Sequence, residues 1–325
     1  MIVLEPAPFS VHQRRGFDPL HAHAANPGGP RLGSARVRLV IRGAGGATSF
    51  RLSLGPGQWL RIEAHASGSD AVGEVEMPAG GWYRGALVAL GANGSDAVSA
   101  GVGPFGVGEV FVVAGQSYAG NWNDERQRVA DPEGRVAALN PRGGWAVAHD
   151  PQPMVAEDSG TQGSIWPGVM DLLVPLLGVP IGMVNVSVSA TATRQWLPGT
   201  PLFRNLESAV RTLGDYRAVL WQHGESDVME SLSADEYVRR LESIRGELVA
   251  RSGVDRPWLP AKSTLHPTVY SQPAREAEIR GAVDRLWRRP GFRPGPDTDI
   301  LGGESRSDLQ GSRHFSSLGD RKSVV

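Results

Sequence analysis

The sequence has no cysteine and no excess of charge of either sign. Without cysteine the chain can form no disulfide and has no thiolate metal ligand or cysteine nucleophile. Its 33 Lys and Arg residues balance 34 Asp and Glu residues, so it has no broad positive charge for nucleic acid or an anionic membrane. We therefore expect a small neutral partner, and neither nucleic acid nor a membrane.

Long apolar runs are missing too. No run approaches the roughly 18 apolar residues that cross a bilayer. The opening stretch "MIVLEPAPFSVHQRRG" has no apolar core followed by a small-residue cleavage site, so it does not resemble a signal peptide. As it stands, the sequence predicts a cytoplasmic protein, and an extracytoplasmic location would require a segment before Met1.

Signals for a metal or a cofactor are weak. The histidines of "HAH" at 21–23 supply only two ligands, with no carboxylate cluster around them, so a solvated loop is the better interpretation. The glycine-rich stretch "AGQSYAG" at 114–120 lacks the Lys-Ser/Thr of a phosphate loop and the glycine spacing of a dinucleotide fold. We therefore infer no metal site and no cofactor.

Strand patterns dominate the first third of the chain. In "RVRLVIRG", Val37, Leu39 and Ile41 alternate with polar residues, which is typical of a half-buried strand. Similar segments follow at short intervals, separated by turn clusters such as "GPG", "SGSD" and "PAGG". Residues 1–106 are therefore predicted to form a small antiparallel β-sandwich, an accessory domain.

From Gly108 onward the pattern is that of a parallel sheet covered by helices. The runs "EVFVVA", "PIGMVNVSVS" and "YRAVLWQ" are nearly continuously apolar, as strands buried on both faces are. Ser233 begins the capping box "SADE", and a second helix is predicted over roughly 275–289. The apolar stripe of the first helix consists of Tyr237, Leu241, Ile244 and Leu248. Residues 107–325 are thus predicted to form an α/β domain.

Three polar segments follow predicted strands of this domain. Ser117 comes after "EVFVVA", "SATATRQW" comes after "MVNVSV", and "QHGESD" comes after "YRAVLW". The carboxyl ends of parallel strands meet at one edge of a sheet, where ligand sites gather. Ser117 needs a base to become a nucleophile, and His314 in "SRHFSSLG" is the candidate.

An acyl-transfer site also needs donors for the oxyanion of its tetrahedral intermediate. The Ser117 N–H, a backbone N–H near Ser189 and a side-chain donor at Gln222 or His223 meet this need.

A carboxylate should orient His314 and stabilise its charged form. Glu225 and Asp308 both suit this role by their positions, and the residues alone do not choose between them.

The segments "VGEVFVVAGQSYAGNW", "LWQHGESD" and "RHFSSLG" resemble the signature blocks of the SGNH hydrolases. The similarity is to the branch that contains sialate O-acetylesterases and related carbohydrate acetylesterases, and it covers about 107–319. It implies a flavodoxin-like three-layer α/β/α sandwich with a parallel sheet. It also implies that Ser117 is the nucleophile and His314 the general base, with the N–H groups of Ser117 and Ser189 as oxyanion donors.

The chain departs from that family pattern at several positions. Tyr118 stands where Asn is usual, Ser189 where Gly is usual, and His223 where a Gln donor is usual. Gly311 occupies the place of an Asp that many relatives carry before the base. We therefore favour Glu225 as the orienting acid, because it follows a strand end directly.

The C-terminus also departs from the pattern. Relatives continue beyond the "HFS..G" block into a helix packed on the sheet, whereas this sequence ends at Val325 after "DRKSVV". We therefore expect the C-terminal helix to be truncated.

The predicted function is that of a serine esterase that removes O-acetyl groups from a carbohydrate through an acetyl-serine intermediate, as sialate O-acetylesterases do. Trp122 is a candidate to line the sugar cleft, Tyr118 to limit its mouth, and Arg194 to bind the carboxylate of a sugar acid. The alternative is a catalytically impaired relative with the same fold that binds carbohydrate or has a structural role.

Overall fold

The computed structural model describes residues 1–17, 32–55, 57–91, 94–155, 160–267, 269–307 and 314–316. Several predictions concern residues outside these ranges. They are the predictions on the "HAH" loop, Asp308, Gly311 and the chain after Ser316. Among the helices of the described ranges, none is long and apolar enough to cross a membrane.

The described residues of the first part of the chain contain eight strands, and most of them pair antiparallel. They are β1 Ile2–Glu5, β2 Val11–Gln13, β3 Ser34–Arg42, β4 Ser49–Gly55, β5 Gln58–Ser67, β6 Asp70–Pro78, β7 Gly80–Leu90 and β8 Asp96–Gly115. The antiparallel neighbours follow in the order β1-β3-β6-β5-β4-β7-β8, and β2 pairs parallel with β8. Val37, Leu39 and Ile41 are buried as the alternation predicts. β8 passes unbroken through residue 107, and the division into two domains stays a prediction.

The second half of β8 lies inside a parallel sheet. The other strands of this sheet are β9 Val136–Leu139, β10 Trp145–Val147, β11 Ile181–Asn185, β12 Ala218–Gln222 and β13 Trp258–Pro260. Their order is β10-β9-β11-β8-β12-β13, and only the edge strand β10 runs antiparallel to its neighbour. Gln222 pairs with Gly115, and Asn185 pairs with Val113. The carboxyl ends of β11, β8 and β12 therefore lie side by side.

Helices cover both faces of this sheet. They are α1 Trp166–Leu177, α2 Pro201–Leu213, α3 Glu225–Met229, α4 Ala234–Ser252 and α5 Pro273–Leu286. Val110 and Val112 of β8 belong to the core that α2, α4 and α5 line, whereas Phe111 and Val113 belong to the core that α1 lines. The mixed α/β class predicted from the apolar runs is confirmed.

The two helices predicted from sequence are present. The Ser233 hydroxyl accepts a hydrogen bond from the Glu236 N–H at the start of α4, and Gly253 ends this helix with a φ of 71°. The predicted stripe of α4 is fully buried. α5 corresponds to the helix predicted over 275–289, shifted by two to three residues.

Candidate active site

Ser117 lies on a tight turn that follows β8. Gly115 has a φ of 140°, and a Cβ there would stand 2.0 Å from the Gln222 carbonyl oxygen, so the close approach of β12 requires glycine. The Gln116 N–H donates to the same carbonyl over 3.1 Å. Ser117 then begins a single 3-10 turn and retains 8% of its surface exposed. Two neighbouring strands thus hold the turn of the proposed nucleophile.

Buried amides support the chain just after this turn. The Asn185 side chain and the Trp166 indole both donate to the Ala119 carbonyl, over 2.7 and 2.8 Å. The side chain of Asn121 exchanges two hydrogen bonds with the backbone of Gln152. Asn185 was missed from sequence, although a polar residue inside the apolar run "MVNVSV" signals a buried hydrogen bond.

Trp122 connects the end of β11 with the proposed base. Its indole N–H donates to Ser189 Oγ over 2.5 Å. Its ring stacks on the imidazole of His314, with centroids 5.9 Å apart and an angle of 24° between the planes. The backbone after β11 is tied to the nucleophile turn as well, since the Val188 N–H donates to the Gly115 carbonyl over 3.0 Å.

His314 is enclosed by rings and retains 5% of its surface exposed. The rings of Tyr118 and His266 lie 4.8 and 5.6 Å from it, centroid to centroid. Burial lowers the pKa of His314 to about 3, and the positive charges of His266 and Arg306 act in the same direction. Among the described residues, neither ring nitrogen of His314 has a hydrogen-bond partner. The imidazole is therefore neutral at ordinary pH.

Glu225 is the buried first residue of α3. Its carboxylate accepts a hydrogen bond from the Ser263 hydroxyl, and its Oε2 has no partner within the described ranges. Burial raises the pKa of Glu225 to about 8, although the hydrogen bond from Ser263 opposes this shift. The described hydrogen bond of the Glu225 carboxylate thus comes from Ser263. The role of Glu225 in orienting His314 stays a prediction.

Gln222 and His223 end β12 next to the Ser117 turn. The Gln222 side chain is buried, and its Nε2 has no partner in the described part of the chain. The imidazole of His223 is also buried, and its Nδ1 lies 3.2 Å from Asp227 Oδ2. Asp227 was not predicted as a site residue, although its i,i+4 spacing from His223 could have suggested it.

The predicted substrate contacts have very different surroundings. Tyr118 is 1% exposed, and its hydroxyl donates to the Leu265 carbonyl over 3.0 Å, so its ring lies beneath the surface rather than at an open mouth. Trp122 is half-buried. Arg194 is exposed and forms an ion pair of 2.9 Å with Glu230. Contact of these three side chains with a substrate stays a prediction.

The strand order brings the predicted segments together. The Ser117 turn lies between the end of β11, which leads to Ser189, and the end of β12, which leads to His223 and Glu225. His314 reaches this edge from a distant segment, where the Asp124 N–H donates to the next carbonyl, that of Phe315, over 3.3 Å. A hydroxyl, imidazoles and amide donors at one sheet edge suit acyl transfer.

Comparison with known proteins agrees with this arrangement. Residues 107–266 match the family described as carbohydrate esterase, sialic acid-specific acetylesterase. The match covers just under half of the chain, and this segment is similar to that family. The resemblance to the SGNH carbohydrate esterases noted in the sequence is thereby confirmed.

Two relatives show how far the similarity extends. A probable carbohydrate esterase from Arabidopsis thaliana is 25% identical over 180 residues, which are 48% of this chain and 68% of that protein. The crystal structure of a carbohydrate acetylesterase from Xanthomonas citri superposes with a TM-score of 0.57 at 18% identity, and covers 97% of this chain and 70% of that one. At this level of identity the second match shows a shared fold.

Proposed function

We propose that the chain is a serine esterase that removes O-acetyl groups from a carbohydrate through an acetyl-serine intermediate. The observation that carries the proposal is the packing of His314 against Tyr118 and Trp122, which follow Ser117 in the sequence by one and five residues. A nucleophile and an imidazole from distant parts of the chain thus share one edge of the sheet. The carbohydrate esterase family of residues 107–266 supports the same chemistry.

In the proposed reaction, Ser117 Oγ attacks the acetyl carbonyl carbon while its proton passes to His314. The oxyanion accepts hydrogen bonds from the N–H groups of Ser117 and Ser189 and from a side chain at the end of β12. Collapse of this intermediate breaks the ester C–O bond, and His314 returns the proton to the departing sugar oxygen. Water, deprotonated by His314, then attacks the acetyl carbonyl carbon; the bond to Ser117 Oγ breaks, acetate leaves, and His314 returns the proton to Oγ.

The first substrate class to test is O-acetylated sialic acid. The matching family is described as sialic acid-specific, and sialic acids carry a carboxylate. Arg194 is the cation we propose for it, because its side chain is 57% exposed beside Glu230.

The decisive experiment compares wild type with Ser117→Ala on an aryl acetate and on O-acetylated sialic acid. We expect the variant to lose at least about 10⁴-fold in kcat, as loss of a nucleophile does in serine hydrolases. Mass spectrometry after rapid acid quench should find an acetyl group on Ser117 of the wild type. Ser69→Ala, on an exposed turn, is the matched control and should retain full activity. Equal rates for wild type and Ser117→Ala would refute the proposal.

A second candidate is a catalytically impaired relative that binds carbohydrate. It is favoured by the surroundings of His314, whose ring nitrogens have no partner within the described ranges, and by Glu225, whose described hydrogen bond goes to Ser263. Calorimetry tests whether wild type binds acetylated or free sialic acid. Binding without hydrolysis of the aryl acetate or of O-acetylated sialic acid would support this candidate over the esterase.

A further inference from the structure

The segment that follows β13 adds a further side to the proposed site. β13 pairs with β12 in parallel, so its carboxyl end lies at the same edge of the sheet as those of β8, β11 and β12. Residues 263–270 come after this end and include His266. The ring of His266 lies 5.6 Å from that of His314, centroid to centroid, with an angle of 84° between the planes. A second imidazole thus packs directly on the proposed base.

Two distant parts of the chain hold the backbone just before His266. The Asp299 carboxylate accepts hydrogen bonds from the N–H groups of Thr264 and Leu265, over 2.7 and 2.9 Å. Tyr118, which directly follows the proposed nucleophile, donates its hydroxyl to the Leu265 carbonyl over 3.0 Å. The rings of Tyr118 and His266 are also in contact, with centroids 5.9 Å apart. His266 is therefore held at one position relative to the nucleophile turn.

His266 is the more accessible of the two imidazoles. His314 retains 5% of its surface exposed, and both of its ring nitrogens are buried. His266 is half-buried. Its Nδ1 is buried and has no hydrogen-bond partner in the described part of the chain, so the edge of the ring that solvent reaches is the one that carries Nε2. A substrate whose ester reaches His314 from solvent therefore has this edge of His266 beside it.

The imidazole of His266 is neutral at ordinary pH. Burial lowers its pKa, and the positive charge of Arg306 acts in the same direction, against a smaller opposing effect of the backbone of His266 itself. A neutral imidazole has one donor and one acceptor nitrogen. It therefore suits a hydroxyl, which also donates and accepts, better than it suits a carboxylate.

The geometry points to His266 as a specificity-determining residue whose Nε2 forms a hydrogen bond with a free hydroxyl next to the ester on the leaving sugar. This inference rests on the proposed esterase function, in which His314 returns the proton to the departing sugar oxygen. Hydrogen-bonded atoms lie about 3 Å apart, so two imidazoles with centroids 5.6 Å apart can bond to oxygens on neighbouring carbons of one molecule. The substrate class is thus a monoacetate of a vicinal diol.

The test uses two esters that differ by one hydroxyl, trans-2-hydroxycyclohexyl acetate and cyclohexyl acetate. The measured quantity is the ratio of their kcat/KM values, hydroxy ester over plain ester, because comparing this ratio between variants cancels the intrinsic reactivity of each ester. His266→Phe keeps a ring against His314 but has no polar atom. We expect it to lower the ratio about tenfold, the effect of one lost hydrogen bond, and to change kcat/KM for cyclohexyl acetate little.

Two further variants sharpen the comparison. His266→Gln keeps a polar group and should retain more of the preference for the hydroxy ester than His266→Phe does. His65→Phe, which changes an exposed histidine of β5, is the matched control and should leave the ratio unchanged. Thermal unfolding checks that each variant folds. If His266→Phe does not, His266→Leu, which also lacks a polar atom, decides by the same ratio.

Two results would overturn the inference. An equal fall of kcat/KM for both esters would make His266 a positioning residue of His314, and an unchanged ratio with unchanged rates would make it a packing residue only. Ser117→Ala, measured in parallel, separates this inference from the proposed function. Activity that survives Ser117→Ala, or a wild type that hydrolyses neither ester, contradicts the esterase mechanism and the role of His266 with it. An unchanged ratio while Ser117→Ala is inactive contradicts the role of His266 alone.

Discussion

The imidazole of His314 packs against the ring of Tyr118, with the centroids 4.8 Å apart and the ring planes at 51°. The residue that follows the proposed nucleophile therefore forms one wall around the proposed base. Arg306 lies on the ring of Tyr118, 4.8 Å from its centroid, so a positive charge stands close to this wall. The aromatic enclosure and this charge together disfavour protonation of His314.

The first prediction concerns activity at acid pH. In the proposed mechanism the neutral imidazole of His314 accepts the Ser117 proton, and burial lowers the pKa of His314 to about 3. As pH falls, we expect kcat/KM to stay near its maximum well below pH 6.5. It should decrease only where His314 takes up a proton or the protein unfolds. Stopped-flow hydrolysis of an aryl acetate in brief pH jumps measures this, with circular dichroism as the check on folding. A decrease of kcat/KM on acidification that is centred near pH 6.5 would contradict the described surroundings of His314.

The second prediction concerns stability and Glu225. Burial raises the pKa of this carboxyl to about 8, from an ordinary value of 4.5. Between these two values the folded chain holds a proton that the unfolded chain has lost, so wild type loses stability as pH rises from 4.5 to 8. Glu225→Gln cannot ionise, so its free energy of unfolding should rise relative to wild type across the same range.

Urea unfolding at several pH values measures this difference. Glu242→Gln, which removes a carboxylate with 41% of its side chain exposed, serves as the control, and its difference from wild type in free energy of unfolding should change little with pH in this range. A difference between Glu225→Gln and wild type that is constant from pH 5 to 8 would show that Glu225 is ionised throughout.

The third prediction concerns the hydrogen bond from Trp122 to Ser189. Trp122→Phe removes the indole donor but keeps a ring against His314, and Ser189→Ala removes the acceptor but keeps the backbone N–H. Each change should lower kcat/KM by a similar factor, and the double variant should be no worse than either single one, because both remove the same bond. Additive losses would show that the two side chains act independently.

The fourth prediction concerns the glycine before the nucleophile turn. Gly115→Ala would place a Cβ 2.0 Å from the Gln222 carbonyl oxygen at a positive φ, so we expect several kcal/mol of destabilisation and loss of activity. Gly168 lies in α1, where a Cβ meets no atom within 4 Å. Gly168→Ala should stabilise the protein by about 0.5–1 kcal/mol through helix propensity. Chemical denaturation distinguishes the two, and equal effects would contradict the described backbone.

Much of the fold followed from local patterns. The alternation around Val37 predicts a half-buried strand, and the capping box at Ser233 predicts the start of α4, because each depends only on neighbouring residues. The sequence also placed Ser117, Ser189 and His223 at strand ends, and the register of β11, β8 and β12 places these ends next to one another.

The partners of the site residues could not be predicted in this way. Tyr118 stood out as a bulky residue where a small amide is usual, but its burial depends on Leu265, Arg306 and His314, which come from distant segments. The hydrogen bond of Glu225 to Ser263 depends on β13 lying beside β12. Such contacts exist only after the sheet has formed.

The sequence by itself determined which residues are candidates for the chemistry and which strand each one follows, because both depend on residue type and local periodicity. Tertiary structure alone decided their protonation. The rings around His314 and the burial of Glu225 set the charges of these two groups, because the free energy of a charge depends on the atoms that surround it in space.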